Sequence, residues 1–350
     1  MKMRIWTCLF LITAFLSCKE DEKPVKTKIT SVEIEEIYSN SALSIRAIDI
    51  ASDKSIAFAA NEGAFGLYNP QTEQWITGKQ DYDSLNLEFR AVARTLNDFF
   101  MLSVASPALL FKTGEYGTME MVYKEDHEKA FYDAMAFWNA QEGIAIGDPT
   151  DDCMSVIITR DGGETWNKVP CDKLPKIKEG EAAFAASNTN IAIVGNRTWI
   201  ATGGKTSRIL FSEDKGMSWQ VFDTPMINGE GTTGTYSIDF YDENKGFAIG
   251  GDYTKPDDTK ANKMRTADGG KTWQLVSDGD EPGYRSCVQY VPNSDGKALV
   301  AVGIQGIDYS IDSGDTWQHL SDEGFHTIRF LNENVAYAAG QGRIAKITFK

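Results

Sequence analysis

Seven stretches of the chain open in a shared register, in which a polar or small residue sits just inside the start and apolar residues fill most of the next positions. They are Ile45-Arg46-Ala-Ile-Asp-Ile, Phe89-Arg90-Ala-Val-Ala, Tyr132-Asp133-Ala-Met-Ala-Phe, Gly180-Glu181-Ala-Ala-Phe-Ala, Tyr236-Ser237-Ile-Asp-Phe, Tyr284-Arg285-Ser-Cys-Val-Gln-Tyr and Phe325-His326-Thr-Ile-Arg-Phe. Each is followed by a second run of small and apolar residues that ends near Gly or Ala: Ala57–Ala60, Leu102–Ala105, Ala145–Gly147, Ala192–Gly195, Ala248–Gly251, Ala301–Gly303 and Ala336–Gly340. Apolar runs this short, bounded by turn residues, predict buried strands rather than helices. Seven such pairs predict seven sheets.

Between these starts a polar segment recurs four times: Thr159-Arg-Asp161-Gly-Gly163-Glu-Thr-Trp166, Ser212-Glu-Asp214-Lys-Gly216-Met-Ser-Trp219, Thr266-Ala-Asp268-Gly-Gly270-Lys-Thr-Trp273 and Ser310-Ile-Asp312-Ser-Gly314-Asp-Thr-Trp317. This is the Asp-box, a hairpin clamp: the carboxylate accepts hydrogen bonds from turn amides, the glycine supplies a positive φ, and the indole buries its ring beside the hairpin. A turn that consumes the carboxylate's lone pairs leaves little for catalysis. The four tryptophans lie 53, 54 and 44 residues apart, the period of a propeller blade of four strands. Trp75 precedes Trp166 by 91 residues, so a blade with a degenerate motif belongs between them, its outer strand near Met119–Lys124. The expected fold is an all-β, seven-bladed β-propeller of four-stranded antiparallel blades, with the small-residue strands crowded near the axis.

After His326 only 24 residues remain, enough for the rest of a three-stranded sheet at roughly 5 to 6 residues per strand. Thr27–Ile37, with alternating Ile29, Val32, Ile34 and Ile37, is expected to supply the missing outer strand and close the ring, which removes the unpaired edge between first and last blades.

The N-terminus reads as an address. Lys2 and Arg4 precede an apolar run, Ile5 to Leu16, and Ser17 stands before Cys18; the run is too short to span a bilayer, which takes roughly 20 apolar residues. We expect an export signal over residues 1–18, lipidation at Cys18, a tether over 19–26 that starts with an acidic run, and a single propeller over 27–350. The protein is then exported and lipid-anchored to the outer membrane or cell surface, its contact with membrane confined to that lipid; without the lipid it is periplasmic or secreted. The whole chain has a formal charge of −15; without Lys2 and Arg4 it carries 33 basic against 50 acidic residues, a net of −17. That balance argues against nucleic acid as a partner. Neither a dinucleotide fingerprint nor a zinc or haem motif occurs, so no cofactor or metal is expected, and a monomer is.

With the Asp-boxes and blade starts in view, the chain resembles the Asp-box (BNR-repeat) propellers related to the photosystem II assembly and stability factor, and within them a secreted bacterial branch often labelled oxidoreductase. Gly180-Glu-Ala-Ala-Phe-Ala-Ala-Ser187, Gly250-Gly-Asp-Tyr253, Gly283-Tyr-Arg-Ser286 and Gly324-Phe-His326 carry the likeness. The resemblance implies the fold over roughly residues 40 to 350 and, by way of the photosynthetic relatives, a binding or assembly role; this chain has no residue set to carry redox chemistry. Sialidases also carry Asp-boxes, but the Arg46-Ala47-Ile48 run does not match their N-terminal motif, and xyloglucan-type glycosidases pair two propellers where this chain has length for one.

In such a blade, the start of the innermost strand and the loop joining the second and third strands share one face of the disc. Arg46, Arg90, Asp133, Glu181, Ser237, Arg285 and His326 are therefore expected to ring the channel mouth. Asn61, Glu62, Ser106, Asp148, Asn196, Asp252, Gln305 and Gln341 are expected in the adjoining loops. Two of those loops, Gly195–Lys205 and Gly251–Lys263, should be long and present Trp199 and Tyr253. Aromatics beside charged groups suit a protein, peptide or glycan ligand; ion pairs between blades account for the same charges equally well. If the site is catalytic, Asp133 and Glu181 are the acid and base of a carbohydrate-active hydrolase, which needs two free carboxyls about 5 to 9.5 Å apart. The loop Asp148-Pro-Thr-Asp151-Asp152 is read as a plain acidic turn rather than a calcium site.

Cys153 and Cys171 each stand nine residues from Gly162. A hairpin centred there pairs 159 with 165 and, continuing, 153 with 171, close enough for a disulfide in an exported protein. Cys287, on an inner strand, is expected to stay a buried free thiol.

Overall fold

The structure, a computed structural model, describes residues 29–114 and 117–350. The expected signal, the lipidation site Cys18, the tether and Thr27 lie outside them.

Seven antiparallel sheets form a seven-bladed β-propeller, and sequential pairing builds each blade from the channel outward. Blade 1 runs through Ala47–Ile50, Ile56–Ala59, Ala64–Asn69 and Gln74–Lys79, and blade 2 through Phe89–Arg94, Phe99–Ser103, Ala108–Thr113 and Met119–Glu125. Tyr132–Phe137, Gly143–Gly147, Ser155–Thr159 and Asn167–Lys168 make blade 3. Blade 5 consists of Thr233–Phe240, Gly246–Asp252, Lys263–Thr266 and Gln274–Leu275, and blade 6 of Cys287–Tyr290, Leu299–Gly303, Gly306–Ser310 and Gln318–Ser321. In blade 7, Thr327–Asn332 pairs with Val335–Phe349, which doubles back at Gln341-Gly342 so that Phe349 N donates to Asn334 O at 2.9 Å. The outer strand is Val32–Ser44 rather than the expected Thr27–Ile37, with Val32 opposite Phe349, while Ile29 packs in the core between blades 6 and 7. The ring is closed by residues from both ends of the described chain.

Each apolar core lies between blades. Ala91, Phe100, Leu102 and Leu110 of blade 2, for example, meet Tyr132, Ala145, Ile157 and Trp166 of blade 3. The small residues of the inner strands allow this convergence, because the backbones approach most closely near the axis.

The four repeat turns share one hydrogen-bond pattern. In the first, Asp161 Oδ1 accepts from Thr165 N (3.0 Å) and Thr159 Oγ1 (2.8 Å), and Oδ2 accepts from Thr165 Oγ1 (2.6 Å); Asp214, Asp268 and Asp312 repeat it. These carboxylates are occupied in holding their turns.

Blade 4 departs from the expected register. Its innermost strand is Ile191–Val194, joined by the tight turn Gly195-Asn196 to Arg197–Ala201, with Arg208–Ser212 and Gln220–Asp223 outside. The segment Gly180–Ala185 is therefore not the inner strand. Instead Glu181–Ala182 pairs with Gly203–Gly204, which abuts Gly234 of blade 5. The following residues turn into the channel: Asn188 accepts from Met135 N (2.9 Å) and donates to Val92 O (2.8 Å), and Ser187 Oγ donates to Ser286 O (2.6 Å). Thr189 Oγ1 donates to Ser237 Oγ (2.8 Å), and Thr327 Oγ1 to Ser187 O (2.9 Å). Ser187–Thr189 thus plugs the channel and is tied to blades 2, 3, 5, 6 and 7. Polar side chains suit this place because the inner strands expose backbone groups toward the axis that no neighbouring strand satisfies.

Cys153 and Cys171 form a disulfide with Cα atoms 5.5 Å apart. The hairpin register around it differs from the expected one by a residue: Ile158 faces Asn167 and Ile157 faces Lys168. Cys171 begins a short 3-10 turn, Cys171–Lys173, and Cys153 bridges Lys176, so the bond links a strand end to a turn rather than two ladder partners. Cys287 is free and fully buried.

Candidate functional site

On the face where the inner strands begin, a cup of about 510 Å³ opens, lined in part by Ala182–Ala186, the segment that leads to the plug. Its wall is aromatic. Phe184, carried in by the segment that leads to the plug, stacks on Tyr236 at 3.8 Å with the rings 3° from parallel. Tyr236 is met edge-on by Tyr284 at 4.8 Å and by Tyr253 at 6.4 Å, and its OH donates to Thr232 O (2.8 Å). Tyr253 and Ile304 stand at the rim, 50% and 56% exposed, as the apolar edge of a recognition site would.

Two arginines complete the lining, and they differ. Arg90 is paired with Glu88 (2.6 Å) and its Nη1 reaches Ala185 O (3.4 Å). Arg46 has no carboxylate within ion-pair distance among the described residues, and its Nε is buried without a partner. Burial and then Arg90 weaken the hold of Arg46 on its proton, so a cation here is costly until an anion meets it. His326, beside Ser44 Oγ (3.5 Å), is pushed down to about 3 by burial and by Arg46 and Arg90, and is neutral at physiological pH. Asp148 faces the cup and accepts from Ala183 N (2.8 Å); burial raises it to about 6.

Of the residues expected at the mouth, Arg46, Arg90, Asp148, Tyr253 and His326 line this cup. The others are placed elsewhere. Arg285 is buried in an ion pair with Asp308 (2.6 Å), and Gln305 also accepts from it (3.1 Å). Asp252 is buried and caps its own turn, accepting from Thr254 N and Oγ1 (3.0 and 2.7 Å). Trp199 lies in the second strand of blade 4, fully buried and stacked on Phe240 at 3.7 Å; the expected loop Gly195–Lys205 is mostly that strand and its turn. Ser237 is buried behind the plug.

The two carboxyls considered for catalysis do not form an acid and base pair. Glu181 is buried and accepts from Arg208 (2.5 Å), Thr202 Oγ1 (2.7 Å) and Lys178 N (2.9 Å). Asp133 is fully buried at a bulge of its strand, both oxygens without a partner among the described residues, and burial followed by Asp148 raises it well above the carboxylate range. Neither opens to the cup. Sequence reasoning missed Phe184, Tyr236 and Tyr284 as the wall, and missed the plug. A signal for the plug was present: Ser187-Asn-Thr-Asn190 is polar at four successive positions just before the true inner strand.

Among the described residues no group of three or more His, Cys, Asp and Glu side chains is placed to hold a metal, and no helix is long and apolar enough to cross a membrane. No family model matches the chain, and no curated protein sequence matches it. Solved structures do. YCF48 bound to a D1 peptide superposes with a TM-score of 0.65 at 12% identity, covering 92% of this chain and 100% of that one. Virginiamycin B lyase from Staphylococcus aureus superposes at 0.62 and 11% identity, covering 91% and 100%. A GH74 xyloglucanase from Xanthomonas campestris does so at 0.63 and 14%, over 90% of this chain and 53% of that one, so this chain spans about half of the enzyme. At such identities the likeness is one of fold, and the fold these comparisons share with the chain is the β-propeller.

Proposed function

We propose that this protein is a recognition or assembly module that binds a protein segment through the aromatic cup, displayed on the cell envelope by a lipid on Cys18. The observation that carries the reading is Arg46: a guanidinium without a counter-ion among the described residues, on the wall of a cavity it shares with Phe184, Tyr236, Tyr253 and Tyr284, in an acidic protein. Such a group calls for an anionic point on the ligand, with apolar or aromatic side chains against Tyr236, Tyr253 and Tyr284. A peptide carboxylate and its neighbouring side chains meet both needs. The likeness in fold to YCF48 in complex with a D1 peptide supports a peptide ligand. The repeat turns support a place among the secreted Asp-box propellers.

A library of soluble peptides titrated against the protein lacking its first 18 residues tests this. Arg46→Ala should weaken the best binder by about 10- to 100-fold, since a hydrogen bond to a charged group contributes about 1.5–3 kcal/mol. Equal affinity in the variant, or a library with no binder, overturns the reading. Display is tested separately: Cys18→Ser should move the exported protein from the membrane to the soluble fraction.

A further inference from the structure

The plug divides the channel, and beyond it a second cavity of about 600 Å³ opens on the opposite face, where the inner strands end. Charges of both signs line it without pairing with one another. Asp49 Oδ1 accepts from Ile50 N (2.8 Å), and Asp239 accepts from Phe240 N (3.0 Å) and Tyr290 N (2.7 Å). No cation lies within ion-pair distance of either among the described residues. The guanidiniums in the same wall are directed elsewhere. Arg329 donates to the carbonyls of Ile328, Ser187 and Asn188 at 2.9 to 3.3 Å. Arg94 donates through Nη1 to Ser55 O and Oγ (3.2 and 2.6 Å), and its Nε is buried without a partner. Gln289 accepts from Phe330 N (3.1 Å), and its amino group has no partner among the described residues.

The chemistry of this wall selects a ligand class. A site for an ion surrounds it with one sign of charge, whereas here carboxylates without a counter-ion and guanidiniums without a carboxylate partner, each held only by neutral groups among the described residues, share one space. An anion would meet Asp49 and Asp239, and an ammonium would meet Arg94 and Arg329; each would leave the opposite charges unsatisfied. Hydroxyl groups avoid that conflict, because each both donates and accepts. Between the polar groups the wall is apolar, with Val92, Met135 and Phe137, which suits the C–H faces of a ring. The volume lies within the range of small-molecule sites. We propose that this second cavity binds a neutral polyhydroxylated ligand, a saccharide without ionised groups, independently of the peptide cup on the other face.

The test is calorimetric titration, together with ligand-observed NMR, of the protein lacking its first 18 residues. The probes are neutral mono- and disaccharides, glucosamine as a cation and glucuronate as an anion. The expected result is saturable binding of a neutral sugar, weakened at least about tenfold by Asp239→Asn and by Arg94→Lys. Asp239→Asn keeps an oxygen for Tyr290 N at the cost of the bond from Phe240 N, and Arg94→Lys keeps the charge; circular dichroism checks that both variants fold, and Arg94→Lys carries the test where Asp239→Asn does not. Arg46→Ala should leave sugar binding unchanged. Tighter binding of either charged sugar, affinity unaffected in both variants, or no neutral sugar bound at all would overturn the proposal, and none of these outcomes bears on the peptide cup.

Discussion

His326 shows how one side chain records its surroundings. In the unfolded chain its imidazole titrates near the ordinary 6.5; in the fold it titrates at about 3. The unfolded state therefore takes up the proton first, and stability falls as pH drops from about 6.5 toward 3, by up to about 4 to 5 kcal/mol if the whole shift is realised. Asp148 and Asp239 work in the opposite direction: burial raises both to about 6, so their desolvation cost is relieved as pH falls through that value. The two effects separate in a variant. Thermal unfolding of His326→Gln, followed from pH 7 to pH 4, should lose less stability on acidification than the parent; an identical pH profile would place the imidazole in water. The sequence showed His326 and Arg46 as neighbours in a ring, but that one has lost its charge and the other its counter-ion depends on burial, which residue types alone do not report.

Among the elements, turns and plug hold the blades together in different ways. Gly314 has φ of +87°, and a Cβ there would come within 2.3 Å of the Phe247 ring in the preceding blade. Gly314→Ala should therefore cost at least about 2 kcal/mol, from the backbone conformation and the clash together. Gly229 has φ of +115° and open space around it, so Gly229→Ala reports the conformational part alone and should cost less; equal costs by urea denaturation would contradict the interlock. In the plug, Asn188→Ala strands Met135 N and Val92 O. The expected loss is about 2 kcal/mol or more, with faster amide exchange at Met135 as its local signature. The turns were legible because their function is local, within eight residues. The plug was not, because its partners lie on five blades up to about 140 residues away, and the expected strand at Gly180–Ala185 satisfied the local pattern while violating the distant one.

At the scale of the whole molecule, stability rests on closing a ring. Val32–Ser44 pairs along most of its length with the last strand, so deleting residues 1–44 should leave an unpaired edge and abolish the single cooperative unfolding transition; a deletion variant melting like the parent would show that the ring closes without it. The disulfide spans a separation of 18 residues, worth about 3 kcal/mol on the chain-entropy model. Cys153→Ala/Cys171→Ala should lower the melting temperature and leave peptide binding intact, since the bond sits away from the cup.

Residue spacing was enough for seven blades, for the strand order of all but the fourth, for the four turns and for a closing strand from the N-terminal side. All of these follow from spacing and from interactions between near neighbours. Only the tertiary structure decided the site. Arg46, Arg90, His326 and Asp148 reach the cup while Arg285, Asp252, Glu181 and Trp199 do not. The difference lies in whether a partner from another strand or blade meets each side chain first, and a local pattern carries no record of that encounter.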